Sequence, residues 1–346
     1  MSAASEQLRV VHVCCTDAFA GVERHVSELA AAQAAAGHAV LVVGGQQDRM
    51  ALAAGPEVTV RPGARIDIAL RSLTRLPFRP DVINVHMTAA EVALAIAPQL
   101  RTVPVVSTHH FAAARGSRLH TRAAARVAAR RIAAQLAVSR YVADHIDGAS
   151  IVVLSGVRPE PGRVPAAARD RTVLLAQRLE QEKCTDLGLR AFADSGLAAG
   201  GWRLQVAGDG SLRSELERLT RTLRIVSVVD FLGHRSDVHE LMKAAGMLLA
   251  TRPDEAFGLS VVEAMARGLP IVASRSGAHL ETVGSTPGAA LFTAGDAADA
   301  ARLLGDLAGD EKRRDSYGAL LQDIQRRNFT VGQQARNTDA IYRSVL

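Results

Sequence analysis

The chain has 346 residues, 48% hydrophobic, 22% charged and 3% aromatic, with a formal charge of +6. That length predicts two domains with a sizeable core, and the composition excludes a disordered, collagenous or small disulfide-stapled protein. Three cysteines, Cys14, Cys15 and Cys184, are too few and too poorly spaced for a structural zinc site and fit a reducing compartment.

Short apolar runs alternate with amphipathic helical stretches along the whole chain. Strands are expected at 9–14, 39–44, 82–86, 103–108 and 135–139, and again at 172–176, 203–207, 228–232, 246–250 and 270–273. Helices fill the gaps, among them 22–36 ended by Gly37, 211–223, and 259–267 ended by Gly268. A last helical pattern runs over 310–346 with a break near Asn328. The longest charge-free stretch, 29–47, contains Gln33, Gly37, His38, Gly44 and Gly45 and reads as helix, turn and strand rather than as a membrane span. The first residues lack the basic and apolar regions of a signal peptide, so a cytoplasmic enzyme is expected.

Buried strands alternating with helices are the signature of a doubly wound parallel sheet, and the pattern occurs twice. The expected fold class is therefore α/β, with two doubly wound, Rossmann-like domains. The expected boundaries are 1–158, a Pro/Gly-rich linker at 159–170 carrying Pro159, Pro161, Gly162 and Pro165, then 171–329, and a last helix over 330–346. Ligands of such sheets bind in the crevice at the carboxyl ends of the strands. The loops just after strands are thus where chemistry is expected.

Charge is unevenly placed. Residues 1–170 hold 19 arginines, no lysine and 13 acids, which is the entire net charge, while 171–346 hold 22 basic and 22 acidic residues. Arg115, Arg118, Arg122, Arg126, Arg130 and Arg131 fall largely at helical three- and four-residue spacings. They read as a solvated helix face, or as a surface for anionic lipid headgroups or a phosphorylated acceptor. No aromatic residue interleaves with them, so a nucleic-acid partner is not expected.

Five post-strand loops hold candidate residues. Gly21 precedes a helix whose free N–H groups suit a pyrophosphate, or it merely allows a turn. His109 and His110 follow a strand; as neighbours there they point to opposite faces, which is not metal-ligand spacing. Arg178 and Lys183 share one loop and read as a diphosphate clamp or as surface charge paired with Glu180 or Glu182. Gly208-Asp-Gly210 reads as a backbone approach to a nucleotide or as a plain turn. The strongest pattern is Glu255-Ala-Phe-Gly-Leu-Ser-Val-Val-Glu263. One of its carboxylates can meet sugar hydroxyls, the other can take a ribose diol, and Gly258 opens a helix whose amides can meet phosphate.

These residues resemble a family, the retaining glycosyltransferases of family 4, with the GT-B fold. The E-x7-E signature stands as Glu255…Glu263 within Pro253-Asp-Glu-Ala-Phe-Gly-Leu-Ser-Val-Val-Glu-Ala-Met-Ala-Arg-Gly-Leu-Pro270. Matching stretches in the same order include Gly21-Val-Glu-Arg-His25, Asp81-Val-Ile-Asn-Val-His86, Thr108-His-His110, Arg178…Glu182-Lys183, Ala207-Gly-Asp-Gly210 and Ser276-Gly277…Glu281. The resemblance implies that the two domains face a cleft, with the last helix returning to the first domain. It implies that Arg178 and Lys183 hold the donor diphosphate and that Glu263 binds its ribose. Glu255, with backbone amides near Phe257, Gly258 and Leu259, would bind the sugar and phosphates. Gly21 and Gly208 would approach the donor, and His110 would sit over the transferred sugar. Three glycines of the family pattern are replaced, by Ala20, Cys184 and Ala278.

The expected activity is transfer of a sugar from a nucleoside-diphosphate sugar to a hydroxyl acceptor, in glycan, glycolipid or polysaccharide synthesis. No cofactor is expected, and no metal either, because no D-x-D pair is present and Arg178 and Lys183 carry the charge a metal would. The expected partners are the donor, the acceptor and, through the arginine-rich stretch, an anionic membrane surface at the inner face. A nucleotide-sugar epimerase or phosphorylase on the same architecture, and a donor-binding but inactive partner subunit, remain the alternatives.

Overall fold

The computed structural model describes residues 7–116 and 119–346, without the side chains of 119–122. It divides into two units, Met1–Gly156 with Val331–Leu346, and Val157–Thr330.

The first unit is a wholly parallel sheet. Its strands are β1 (Arg9–Cys14), β2 (Ala39–Val43), β3 (Thr59–Arg61), β4 (Val82–His86), β5 (Val105–His109), β6 (Ile132–Ala137) and β7 (Ile151–Val152), in the order β3-β2-β1-β4-β5-β6-β7. Helices α1 (Gly21–Ala35), α2 (Gln47–Ala54), α3 (Ile66–Leu73), α4 (Thr88–Ala95), α5 (Leu119–Ala129) and the short α6 (Arg140–Ala143) connect them. The central strands are apolar on both sides because both sides are covered. Val11, Val13, Ile83, Val85 and Val105 pack with Ala69 and Leu73 of α3 and Ala90 and Leu94 of α4. On the opposite face Cys14 and Val42 pack with Val26 and Ala30 of α1.

The second unit repeats the plan. Its strands are β8 (Thr172–Ala176), β9 (Arg203–Ala207), β10 (Val229–Gly233), β11 (Met247–Ala250), β12 (Ile271–Ser274) and β13 (Ala290–Phe292), in the order β10-β9-β8-β11-β12-β13, all parallel. Its helices are α7 (Thr185–Asp194), α8 (Arg213–Thr222), α9 (Val238–Ala244), α10 (Leu259–Ala266), α11 (Ala297–Gly309) and α12 (Glu311–Asn328).

Residues 159–170, expected as a linker, are instead fastened onto the second unit. Arg163 forks onto both carboxylate oxygens of Asp315 at 2.6 and 2.9 Å, and the Ala166 N–H donates to the same carboxylate at 2.9 Å. Arg169 donates to the carbonyls of Val164, Met242, Lys243, Ala245 and Arg267. Proline and glycine here shape a fixed strap rather than a tether.

The last helical stretch breaks after Asn328, and α13 (Val331–Ser344) returns to the first unit. Tyr342 is fully buried there against Val10, Val82 and Val106, and its hydroxyl accepts from Asn84 Nδ2 at 2.8 Å. Among the described residues, no helix is long and apolar enough to cross a membrane.

Candidate functional site

In the second unit the strand order reverses between β8 and β11, so the loops after these two strands diverge from a topological switch point. The two loops are stitched together there. Gln177 Nε2 donates to the Lys183 carbonyl at 3.1 Å and to Thr185 Oγ1 and Thr251 Oγ1, both at 3.0 Å. This holds Lys183 Nζ at 3.0 Å from Glu255 Oε2, with each side chain only 15% exposed. Arg252 stands at 3.8 Å from the other carboxylate oxygen. Burial pushes the Glu255 carboxyl up, but Lys183 and Arg252 outweigh it and hold the group below its usual range. His279, buried beside this pair, is lowered by burial and raised in part by Glu255.

Glu255 is also anchored through its backbone, whose carbonyl accepts from the Ala278 N–H at 2.8 Å. Gly258 is the N-cap of α10 at φ 83°, a left-handed conformation that a side chain would strain. Phe257 is buried with its ring 6.1 Å from that of Phe329. Leu259 opens α10, and Glu263 lies half-buried in its second turn. One loop–helix junction therefore carries Glu255, Phe257, Gly258, Leu259 and Glu263, with Lys183 brought against it.

Two expected site residues are placed differently. Arg178 does not converge with Lys183; its side chain, 62% exposed, pairs with Glu182 at 2.6 Å. Gly208 has a reason of its own. At φ 155° its missing Cβ would lie 1.9 Å from the Gln177 carbonyl oxygen, so close backbone packing already requires glycine there.

The replaced glycines separate into two kinds. Ala20, the N-cap of α1, has φ −126°, which alanine adopts without strain, and its N–H donates to Glu23 Oε2 at 2.8 Å. Gly21 follows as the exposed first residue of that helix. Cys184, by contrast, sits at φ 51°, ψ 44° at the N-cap of α7. That is the left-handed region, and a side chain is costly there.

In the first unit, His109 and His110 point to opposite faces of the sheet, as their adjacency predicts. His109 Nε2 accepts from Arg115 Nη2 at 2.8 Å, and burial, with Arg115 beside it, lowers His109 to about 4. Arg115 leaves the expected basic surface altogether. Its side chain is 8% exposed, and its Nε lies 2.8 Å from Glu91 Oε2, a carboxylate 1% exposed. Arg131 also turns inward, donating to the carbonyls of Leu100 and Arg101 at 3.0 and 2.8 Å. Arg126 and Arg130 are exposed, while the side chains of Arg118 and Arg122 lie outside the described residues. A continuous anionic-lipid surface is therefore not formed by the six arginines together.

His110 is half-buried, and its Nε2 lies 2.9 Å from His86 Nδ1. Behind it stand residues that the sequence reading did not single out as site residues. His86 Nε2 lies 3.1 Å from His12 Nδ1, and His12 Nε2 lies 2.7 Å from Gln33 Oε1. His25 packs its ring edge-on to His110 with centroids 4.6 Å apart. The legible signal was a histidine in an apolar strand, within it in Val-Val-His12-Val and at its end in Val-Ile-Asn-Val-His86. Ligand-capable atoms of His25, His86 and His110 lie within 4.8 Å of one another. The 2.9 Å between His86 and His110 is a hydrogen-bond length, whereas two nitrogens on a tetrahedral zinc stand about 3.3 Å apart. These rings would have to open slightly to hold a metal.

Residues 19–152 match the family described as Glycosyltransferase Family 4, and residues 159–319 match that described as Glycosyl transferases group 1. The chain belongs to glycosyltransferase family 4. A Mycobacterium tuberculosis GDP-mannose-dependent alpha-(1-6)-phosphatidylinositol dimannoside mannosyltransferase is 41% identical over 112 residues, 31% of this chain and 28% of that protein. The chain thus aligns with little more than a quarter of that relative's length. The lipopolysaccharide core biosynthesis mannosyltransferase LpsB of Rhizobium meliloti is 27% identical over 241 residues, covering 63% of this chain and 67% of LpsB. Among solved structures, Anabaena HepE in complex with UDP and glucose superposes with a TM-score of 0.81 at 20% identity, covering 98% of this chain and all of HepE. The family 4 chain thus has two Rossmann-like parallel-sheet units, the GT-B architecture that its sequence resemblance implied.

Proposed function

We propose that this family 4 chain transfers a sugar from a nucleoside-diphosphate sugar to a hydroxyl acceptor, with retention and without a metal ion. The observation that carries the reading is the Lys183–Glu255 pair, 3.0 Å apart at the switch point of the second unit and beside the N-terminus of α10. A cation, a carboxylate and helix N-terminal amides where two post-strand loops meet suit a diphosphate joined to a sugar.

In this reading Lys183 neutralises Glu255 until the donor arrives. The ammonium then turns to the diphosphate, and Glu255 accepts hydroxyl hydrogens of the sugar. Amides near Phe257, Gly258 and Leu259 meet phosphate oxygens, and Glu263 takes the ribose diol. As the bond from C1 to the diphosphate oxygen breaks, negative charge grows on the leaving group, and Lys183 stabilises it. The acceptor oxygen bonds to C1 on the same face, and its proton passes to the departing diphosphate. His110 is the first unit's candidate for orienting a substrate hydroxyl. The names of the mannosyltransferase relatives support glycolipid or glycan synthesis as the setting. Arg178 joins the diphosphate only by releasing Glu182.

A thermal-shift panel with UDP, GDP, ADP, CMP and dTDP on the parent and on Lys183→Ala tests the donor site. A ligand at 100 times its Kd stabilises by about 2.7 kcal/mol, a readable shift. GDP and UDP head the panel because the M. tuberculosis relative is named for GDP-mannose and HepE was solved with UDP. One nucleoside diphosphate is expected to stand out in the parent and to be lost in the variant. A parent indifferent to all five, or a variant that responds as the parent does, overturns the reading.

A further inference from the structure

The hydrogen bonds behind His110 fix where every proton lies. The Leu8 backbone N–H points at His38 Nδ1, 3.1 Å away. A backbone amide only donates, so His38 Nδ1 holds a lone pair and its Nε2 carries the hydrogen. That hydrogen faces Asp339 Oδ2 at 3.2 Å. The other oxygen, Oδ1, faces Gln33 Nε2 at 2.6 Å. Asp339 thus accepts from both sides, as a carboxylate.

The carboxylate orients the Gln33 amide, with NH₂ toward Asp339 and Oε1 toward His12 Nε2 at 2.7 Å. An amide oxygen only accepts, so His12 Nε2 carries a hydrogen. His12 is neutral, since burial lowers it to about 4. Its Nδ1 is therefore a lone pair, and the hydrogen in the 3.1 Å contact belongs to His86 Nε2. His86 is also held neutral by burial. Its Nδ1 is a lone pair in turn, and His110 Nε2 supplies the hydrogen across 2.9 Å. His110, likewise neutral, is left with Nδ1 bare. Among the described residues, no side-chain hydrogen bond reaches that nitrogen.

A second, independent anchor sets the neighbouring ring. The Gly156 N–H donates to Gln334 Oε1 at 2.8 Å, which turns the Gln334 NH₂ to His25 Nε2 at 3.0 Å. His25 therefore carries its hydrogen on Nδ1, donated to Ser155 Oγ at 2.9 Å. It packs edge-on against His110 without competing for its nitrogens, and the two planes are 87° apart.

The geometry points to Asp339 as a positioning residue: through Gln33, His12 and His86 it fixes His110 as the Nε2–H tautomer, so that His110 meets a substrate hydroxyl with Nδ1 as hydrogen-bond acceptor. Four aligned bonds polarise one another in the same direction, toward the carboxylate. The device explains why polar residues occupy the faces of β1, β4 and α1 that pack together, and why α13 must return to the first unit to complete it. The substrate part of this inference rests on the transferase reading given above; the tautomer part does not.

Long-range ¹H–¹⁵N spectra of histidine-labelled protein at pH 7.5 read the tautomers directly, with single histidine replacements for assignment. His12, His86 and His110 are expected as Nε2–H and His25 as Nδ1–H. A parent spectrum with His110 as Nδ1–H overturns the proposal, whatever the enzyme transfers. In Asp339→Asn the Gln33 amide loses its fixed orientation. A His110 Nδ1–H signal is then expected, and kcat should fall about tenfold with the donor KM little changed. Moving the carboxylate one link along, in Gln33→Glu with Asp339→Asn, again gives His12 Nε2–H an acceptor. It is expected to restore both the spectrum and kcat. An Asp339→Asn protein with the parent's tautomers removes Asp339 from the role, as does a double variant that leaves His110 reversed. If the tautomers behave as described but no sugar is transferred, the relay stands and the transferase reading falls.

Discussion

Cys184 occupies a left-handed position, φ 51°, ψ 44°, immediately after Lys183 and at the start of α7. A residue with a Cβ gives up about 1–2 kcal/mol there, and glycine gives back part of that gain through the greater freedom of its unfolded chain. Nothing else the Cys184 side chain does offsets the strain. Its sulfur lies 3.8 and 4.0 Å from the carbonyls of Gln181 and Glu182, and burial raises its pKa, so it is no reactive thiolate. Cys184→Gly is therefore expected to stabilise the second unit by about 0.5–1 kcal/mol. It should raise the urea midpoint without changing the slope of the transition. A lowered midpoint would mean that the thiol's packing outweighs the backbone strain. Ala20, in the first unit, shows the other case, since at φ −126° its substitution for glycine carries no conformational cost.

At the scale of elements, the arginine-rich stretch after β5 shows how charge pattern and burial diverge. Arg115 bridges three elements, reaching Glu91 of α4, His109 of β5 and Gln135 of β6. Glu91 also accepts from Ser107 Oγ at 2.5 Å, so this carboxylate is fully engaged beneath the sheet. Arg115→Gln leaves it buried and without its cation, which should cost about 3–5 kcal/mol. The exposed Arg126→Gln and Arg130→Gln should each stay within about 0.5 kcal/mol of the parent. Urea midpoints of the three variants decide the matter, and equal effects would deny Arg115 its structural role. Sequence spacing alone did not distinguish these arginines, because a helical period records a face and not what the face meets. The same limit applies to the sheets. β1, β4, β8 and β9 were legible to the residue, being five- and six-residue apolar runs buried on both sides. The edge strands β3, β7 and β13 were missed, because two or three residues cannot display a period. In the site, the Glu255–Glu263 pattern was visible because one loop and one helix hold it. The Asp339–Gln33–His12–His86 chain was not, because contacts 306 and 74 residues apart in sequence assemble it.

Taken as a whole, the molecule divides its histidines unequally, eight of eleven falling within the first unit. Several are buried neutral there, with burial lowering His12 to about 4 and His25 to about 3. In the unfolded chain such groups titrate near 6.5. Above that pH neither state binds the extra proton, and the stability of the first unit is independent of these groups. Below it the unfolded chain takes up a proton that the folded chain refuses. Each such histidine then removes about 1.4 kcal/mol of stability per pH unit until the folded value is reached. His12 and His25 together therefore impose a slope of nearly 3 kcal/mol per unit between about pH 6.5 and 4, large against a typical total of 5–15 kcal/mol. The second unit meets acid later on its best-defined group. Arg163 and the Ala166 N–H hold Asp315 at about 2, so the stability it supplies persists until the pH falls below the usual carboxylate range. The chain carries its own reporter of this asymmetry, for its only tryptophan, Trp202, is buried in the second unit. As pH falls from 7 to 4, far-UV ellipticity should begin to drop while Trp202 emission stays native. His25→Gln should move only the first of these transitions, toward lower pH. Coincident loss of both signals, unmoved by that substitution, would show that the buried histidines do not govern the acid limit of the fold.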